Sequence, residues 1–362
     1  MTRALFVVLL VVHGLIHSIG LVDQFHKLLK SRPLIEVSPA TGRIIGTLWL
    51  VACLLFLIGA TLFLLNNTAC WWVIAIAVLL SQVLIIIYWH DARFGTIPNV
   101  LILIVAMVGV SDARFNTTAR RESDSLSERM TEPSIEVSPA RVAELPSPVR
   151  QWLLYSGVIA KTAPVIVHLQ QTGSMRTSPE GRWMPFHASQ VITVSPPGFV
   201  WNARIQVAPL LFITGRDRLD GGKGNMLIKF LSAFTIANSS GPQIDESTLI
   251  RYLAEMVWYP QAATSEYIRW EAIDATHARA VISRQDVSAS GIFAFADSGE
   301  VRSFEASRYG DFGGEMRKEA WHIDISEYKS FNGRPIGTSC VVTWKLDEGD
   351  FTWLKLEIVA AD

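Results

Sequence analysis

"HASQVITVSPPGFVWNARIQV", residues 187–207, decides the fold. On either side of the "SPPG" turn signal, apolar and polar residues alternate, as they do in strands with one buried face. The same pattern occurs just upstream in "VIVHLQQTGSM" (165–175). It returns downstream at 268–273, 278–284, 289–297, 300–309, 316–325, 336–346 and 350–360, with "DSGE", "FNGRP" and "DEGD" as further turns. About ten antiparallel strands are therefore predicted.

One long helix interrupts the series. Leu249, Tyr252, Leu253, Met256 and Val257 form an apolar stripe at helical spacing, Asp245 is placed to cap it and Pro260 to stop it. Arg251 and Glu255 fall off the stripe and read as a surface pair. A short helix over 149–156 precedes the strands, opened by Ser147 and Pro148 and closed by Gly157. The expected fold is mainly β (α+β), a curved antiparallel sheet or open half-barrel covered by one long helix. Such a sheet either fills its interior with side chains or leaves a cavity for one apolar ligand. The candidate cavity walls are Phe199, Trp201, Leu253, Met256, Trp258, Phe293 and Phe295.

The N-terminal third is different. Four apolar windows, 4–22, 44–65, 71–89 and 97–110, are long enough or nearly so to cross a bilayer, which takes roughly 20 helical residues. Arg3 before an apolar run also fits a signal peptide, but no small-x-small cleavage site follows and three more spans do. Trp71, Trp72, Tyr88 and Trp89 bracket the third window as interfacial aromatics do. Residues 111–146 turn polar and read as a partly disordered stalk. The expected organisation is a four-helix transmembrane anchor over 1–110, a polar linker over 111–146 and the β domain over 147–362. "IEVSPA" occurs at 35–40 and 135–140, but two copies do not make an array. Lys27, Lys30, Arg32, Arg43 and Arg93 lie in the loops opposite the β domain. That bias places those loops in the cytoplasm and the domain outside it.

The chain has 362 residues and a net charge of -1, which gives no case for a nucleic-acid partner. Cys53, Cys70 and Cys340 are widely spaced, without a zinc or disulfide pattern. "LDGGKGN" (219–225) lacks the spacing of a phosphate loop and reads as a hairpin turn. No nucleophile elbow or cofactor motif occurs, so neither catalytic residues nor an organic cofactor are assigned. Chemistry is suggested only by "VVHGLIHSIG" (11–20), in an apolar span where ionisable groups are costly. His13 and His17 share a helix face, and the topology brings His17 towards His90, Asp91 and His26. That set suits a metal or haem, or a proton relay. The alternative is that neutral histidines hold the bundle together by hydrogen bonds, with Gly14 and Gly20 at close contacts.

"LPSPVRQWLLYSGV", "RWMPFHASQ", "LIRYLAEMVWYPQA" and "YKSFNGRPIGTSCVVTW" resemble a bacterial family known as a domain of unknown function, over about 145–360. Some of its members carry a membrane unit with "HGLIH" and "DARFGTI". The "PGFVW" strand and a late G-x-P-I strand also resemble lipoprotein carriers of the LolA/LolB type. That resemblance implies an open barrel around a lipid-binding cavity and no catalytic residues. The expectation is a membrane-anchored, non-enzymatic protein whose β domain binds a lipid or other apolar molecule. The alternatives are an integral-membrane metal or haem protein and a structural interaction module.

Overall fold

The computed structural model describes residues 2–26, 33–34 and 38–362, with Thr2 and residues 24–26 described by backbone alone. The His26 side chain, Lys27, Lys30, Arg32 and part of the first "IEVSPA" lie outside the described residues. Two compact units divide at Phe115 and Asn116.

In the first unit, α1 (Thr2–His26), α2 (Pro39–Leu64) and α3 (Cys70–Ile87) are followed by the short α4 (Trp89–Ala92) and by α5 (Thr96–Glu128). Four stretches, Arg3–Asp23, Pro39–Leu64, Cys70–Ile87 and Trp89–Glu128, contain windows apolar enough to cross a membrane. Ser38 caps α2 by accepting from the Thr41 amide, and Pro39 occupies the first turn, where its missing N–H costs nothing. α1 and α2 approach closely because glycine leaves room. A Cβ on Gly14 would lie 2.8 Å from the Phe56 Cβ, and one on Gly20 would lie 2.6 Å from the Trp49 ring.

Residues 111–128, expected as a polar stalk, instead continue α5. Their few apolar residues recur at helical spacing, and Phe115, Ala119 and Leu126 are buried. Within the second unit the end of α5 lies along the outer face of two strands, β5 (Gly198–Ala208) and β6 (Leu211–Asp220). Asn202 Nδ2 donates to Asn116 Oδ1, and Glu122 pairs with Arg216 at 3.2 Å and with Arg218 at 3.5 Å. A Cβ on Gly198 would meet Leu126.

β1 (Ser134–Glu136) pairs with β2 (Thr162–Pro164), with α6 (Pro139–Ala143) and α7 (Ser147–Tyr155) between them. The main sheet holds thirteen antiparallel strands. β3 (Ile166–Met175) and β4 (Met184–Thr193) precede β5 and β6, and β7 (Lys223–Phe230) and β8 (Phe234–Ser240) follow. After α8 (Pro242–Glu255) come β9 (Ile268–Ala272), β10 (His277–Arg284), β11 (Val287–Phe295), β12 (Val301–Phe312), β13 (Glu315–Phe331), β14 (Arg334–Leu346) and β15 (Gly349–Ala361). The spatial order is β8-β7-β6-β5-β4-β3-β15-β14-β13-β12-β11-β10-β9. The ten sequence-predicted strands are all present. β6, β7 and β8 complete the sheet.

One contact pattern fixes the curvature. α8 touches β6, β7 and β8 near one edge, and β10, β11 and β12 near the other. A single helix reaches both only if the sheet curls around it. The hairpin tips meet accordingly: a Cβ on Gly222, between β6 and β7, would lie 3.2 Å from Arg284 Cγ at the end of β10. The result is a half-barrel with α8 against its concave face.

α8 begins after Gly241, which sits at φ 108 where a side chain would be strained, and continues with Pro242. Asp245, expected as the cap, serves another purpose. Its Oδ1 accepts from the Gly224 amide at 2.8 Å and its Oδ2 takes Lys223 Nζ at 2.9 Å, pinning the β6–β7 hairpin to the helix. "LDGGKGN" is that hairpin's turn, with Gly221 and Gly222 at positive φ.

Candidate functional site

Register divides the concave face into two zones. On β4 the inward residues are Phe186, Ala188, Gln190 and Ile192, which pair with Ile205, Ala203, Trp201 and Phe199 of β5. Gly173, Gln171, Leu169 and Val167 of β3 continue the rows on one side. Ile213, Gly215, Asp217 and Leu219 of β6 continue them on the other.

The first zone is filled. Ile192, Phe199, Leu219, Leu249, Tyr252, Leu253, Met256, Trp258, Phe293 and Phe295 belong to one core cluster, together with Trp152 of α7. Trp152 stacks on Phe293 with ring centroids 6.0 Å apart, and Phe293 meets Phe304 edge-on at 4.8 Å. Trp258 Nε1 donates to Gly337 O. Six of the sequence-predicted cavity residues, Phe199, Leu253, Met256, Trp258, Phe293 and Phe295, are therefore together, each at most 5% exposed. They pack on one another and on the helices. Trp201 alone of the seven is half-buried.

The second zone, at the other end of the same strands, has a core of only Phe186, Ala188, Ala203 and Ile205. Around it Met175, Met184, Trp201, Ile213, Leu354 and Leu356 are half-buried apolar side chains. Among the described residues no helix contributes to this cluster. A belt of hydrogen bonds lies where the zones meet. Trp201 Nε1 donates to Gln171 Oε1 (2.9 Å), Gln171 Nε2 to Gln190 Oε1 (2.8 Å) and Gln190 Nε2 to Glu255 Oε2 (2.6 Å). Arg251 donates Nε to Glu255 Oε1 and Nη1 to Asp217 Oδ2, each at 2.7 Å, while its guanidinium lies 4.9 Å from the Phe199 and Trp201 rings.

The expected surface pair Arg251–Glu255 is thus inside the protein. A curled sheet meets the helix on more than its apolar stripe, so the polar flank is enclosed as well. Burial raises the Glu255 pKa, against the pull of Arg251 and Gln190. Arg308 reaches the same region, donating Nε to Ser247 O and lying 4.4 Å from the Trp321 ring. Burial lowers its pKa to about 10, against the attraction of Asp217. With its charges paired and each amide oriented, the belt presents no free acid or base. Cys340 is buried and its thiol is pushed up to about 12 by burial, so it is not a nucleophile at neutral pH.

Asp217, Gln171, Gln190 and Arg308 were not among the sequence-predicted site residues. For Gln171, Gln190 and Arg308 the available signal was a polar residue at an inward position of an alternating strand, whereas Asp217 lies on β6, whose burial does not alternate simply.

Two grooves lie elsewhere on the second unit. One of about 210 Å³ is lined by Asn116, His187, Asn202 and Arg204 among others. Another of about 400 Å³ is lined by Glu246, Arg269, Glu271, Arg279 and Lys318 among others. Lys318 pairs with Glu246, and Arg269 and Arg279 pair with Glu271, so its charges are largely matched.

In the membrane unit His13 and His17 are buried, with rings 4.7 Å apart. One proton assignment links the two rings, Asn99 and Ser81 with both rings neutral. His13 Nε2–H donates to Asn99 Oδ1 (2.8 Å), and Asn99 Nδ2 to Ser81 Oγ (2.9 Å). The Ser81 hydroxyl donates to His17 Nε2, and His17 Nδ1–H to His13 O, both at 2.7 Å. The circuit joins α1, α3 and α5. His90 and Asp91 are exposed on α4. Among the described residues no group of three or more His, Cys, Asp or Glu is placed to hold a metal ion.

Residues 136–356 match the model of a family of unknown function, DUF6544, and the chain belongs to that family. No curated protein is significantly similar to it. Among solved structures it is similar to a LolA superfamily protein from Nitrosomonas europaea, at 9% identity and TM-score 0.32, over 54% of this chain and 85% of that one. It is also similar to a DUF1329 family protein from Desulfovibrio piger, at 8% identity and TM-score 0.35, over 63% and 93%. Likeness at this level assigns neither ligand nor activity.

Proposed function

We propose that this DUF6544 member is a membrane-anchored, non-enzymatic binding protein that holds a lipid or other apolar molecule on the open zone of its concave face. One observation carries the reading. Met175, Met184, Trp201, Ile213, Leu354 and Leu356 all point to the concave side and remain half-buried, on a face that is fully packed at its other end. Burying such side chains under a ligand is favourable by about 25 cal/mol per Å² of apolar area. Trp201 would touch the ligand. Phe199, Leu253, Met256, Trp258, Phe293 and Phe295 would form the rigid layer behind it, and the belt would meet its polar end. The β unit would lie outside the cytoplasm, as the loop charges imply.

The test is native mass spectrometry of the full chain released from its membrane mimetic. The expected result is a retained apolar adduct, lost in Met184→Glu/Leu354→Glu. A wild-type chain with no adduct, and no uptake of an added fluorescent fatty acid, would refute the reading. His13, His17, His90 and Asp91 remain the rival metal reading, which predicts stoichiometric metal or a haem band removed by His17→Ala. The closed hydrogen-bond circuit favours packing.

A further inference from the structure

Both carboxylates of the belt are held by one arginine. Arg251 binds Asp217 and Glu255 at 2.7 Å each, and Gln190 takes the second oxygen of Glu255. Arg308 of β12 stands beside them without such a partner. Its cross-strand neighbour Glu319 pairs instead with Arg317 at 2.6 Å. Among the described residues no carboxylate forms an ion pair with Arg308, and the only acceptor it has from the protein is Ser247 O, bonded to Nε at 3.1 Å. A guanidinium carries five N–H groups. Four are left over.

Register aims Arg308 into the half-barrel. It follows the buried Phe304 and Ala306 on the inward side of β12, and its guanidinium lies 4.4 Å from the Trp321 ring and 5.9 Å from that of Trp344. Trp321 pairs with Trp344, and Trp344 with Phe351 of β15, the strand that supplies Leu354 and Leu356 to the open zone. The cation therefore borders a continuous apolar surface. A second observation is independent of charge. Trp321 is 4% exposed, yet its Nε1–H has no acceptor from the protein, an uncommon state for a buried donor. Two adjacent side chains thus offer donors only. A carboxylate or phosphate answers that demand, because its oxygens take parallel hydrogen bonds from a guanidinium and balance its charge. A hydroxyl or ester does neither.

We infer that Arg308 and the Trp321 indole N–H receive the anionic head of an amphiphile whose apolar chain lies on the open zone. The ligand class is then a carboxylate- or phosphate-headed lipid. This rests on the reading that the concave face binds an apolar molecule, and it names the chemistry of that molecule.

The experiment displaces a fluorescent fatty acid from the full chain in a membrane mimetic, using lauric acid, lauryl phosphate and lauryl alcohol as competitors with the same chain. In the wild type at least one anion should displace the probe at a concentration about tenfold or more below that of the alcohol, and the stronger of the two identifies the head group. Arg308→Gln should remove that preference by weakening the anions and leaving the alcohol unchanged, whereas Arg308→Lys should keep part of it. Equal displacement by all three in the wild type would overturn the inference, a comparison that needs no variant to fold. So would a preference that survives Arg308→Gln. Failure of the wild type to take up the probe or any competitor is a different result, which removes the binding reading and this inference with it.

Discussion

β4 and β5 run through two environments on one face. At one end Ile192 and Phe199 are fully buried beneath α8, and Tyr252 donates to the carbonyl of Thr193. At the other end, Phe186 and Ile205 are the core of a cluster whose outer members are half exposed. The strands, their spacing and their pairing do not change between the two. What changes is coverage, since α7, α8 and the short 3-10 turns after it complete one end and leave the other. An alternating strand therefore specifies which side chains point inward, while a separate element decides whether they become core or surface.

Mutations should separate the ends sharply. Trp152→Ala or Phe293→Ala, at the filled end, should cost about 3–5 kcal/mol of stability. Met184→Ala at the open end should cost about 1 kcal/mol, because little of the side chain leaves water on folding. Denaturant unfolding of the full chain, followed by tryptophan fluorescence, measures both. Equal losses would mean the second zone is covered core.

Next in size is the belt between the zones. Arg251→Met leaves Asp217 and Glu255 without their common cation and should cost about 3 kcal/mol. Replacing all three in Arg251→Met/Glu255→Met/Asp217→Leu should restore most of the loss, as paired buried charges contribute little net stability. If Arg251→Met leaves stability unchanged but alters ligand uptake, the belt belongs to the site rather than to the fold.

The smallest effect lies away from both ends, in the β9–β10 turn. Asp274 is held at about 2 by the Thr276 amide and the His277 side chain. Its folded pKa is depressed, so its contribution is complete above the unfolded value and disappears as pH falls towards 2. An NMR titration of the Asp274 carboxyl should show that low midpoint, and an ordinary aspartate midpoint would show that the cap does not form.

Much of this architecture was legible in the residues. Strict alternation revealed ten of the strands, and the stripe from Leu249 to Val257 revealed the helix. β6 to β8 escaped because their burial does not alternate simply. Arg216 and Asp217 are buried on opposite faces of β6, β7 is half-buried from Asn225 to Phe230, and β8 is an exposed edge. The helical end of α5 was hidden by its polarity, although Ala119, Glu122 and Leu126 keep helical spacing. The site was less legible. Bulky aromatics such as Phe293 and Phe295 fit a cavity wall and a packed core equally well, and only coverage by α7 distinguishes them. Gln171 and Gln190 lie within the alternating strands, and nothing in the pattern marks that each bonds the next link of the belt.

The central claim is that the open zone, not the filled one, receives an apolar molecule. Displacement of a fluorescent fatty acid from the full chain tests it directly, comparing Met184→Glu/Leu354→Glu with Phe293→Leu. The account predicts at least tenfold weaker probe binding for the first variant and wild-type binding for the second. Unchanged binding in the first, or loss confined to the second, would contradict it.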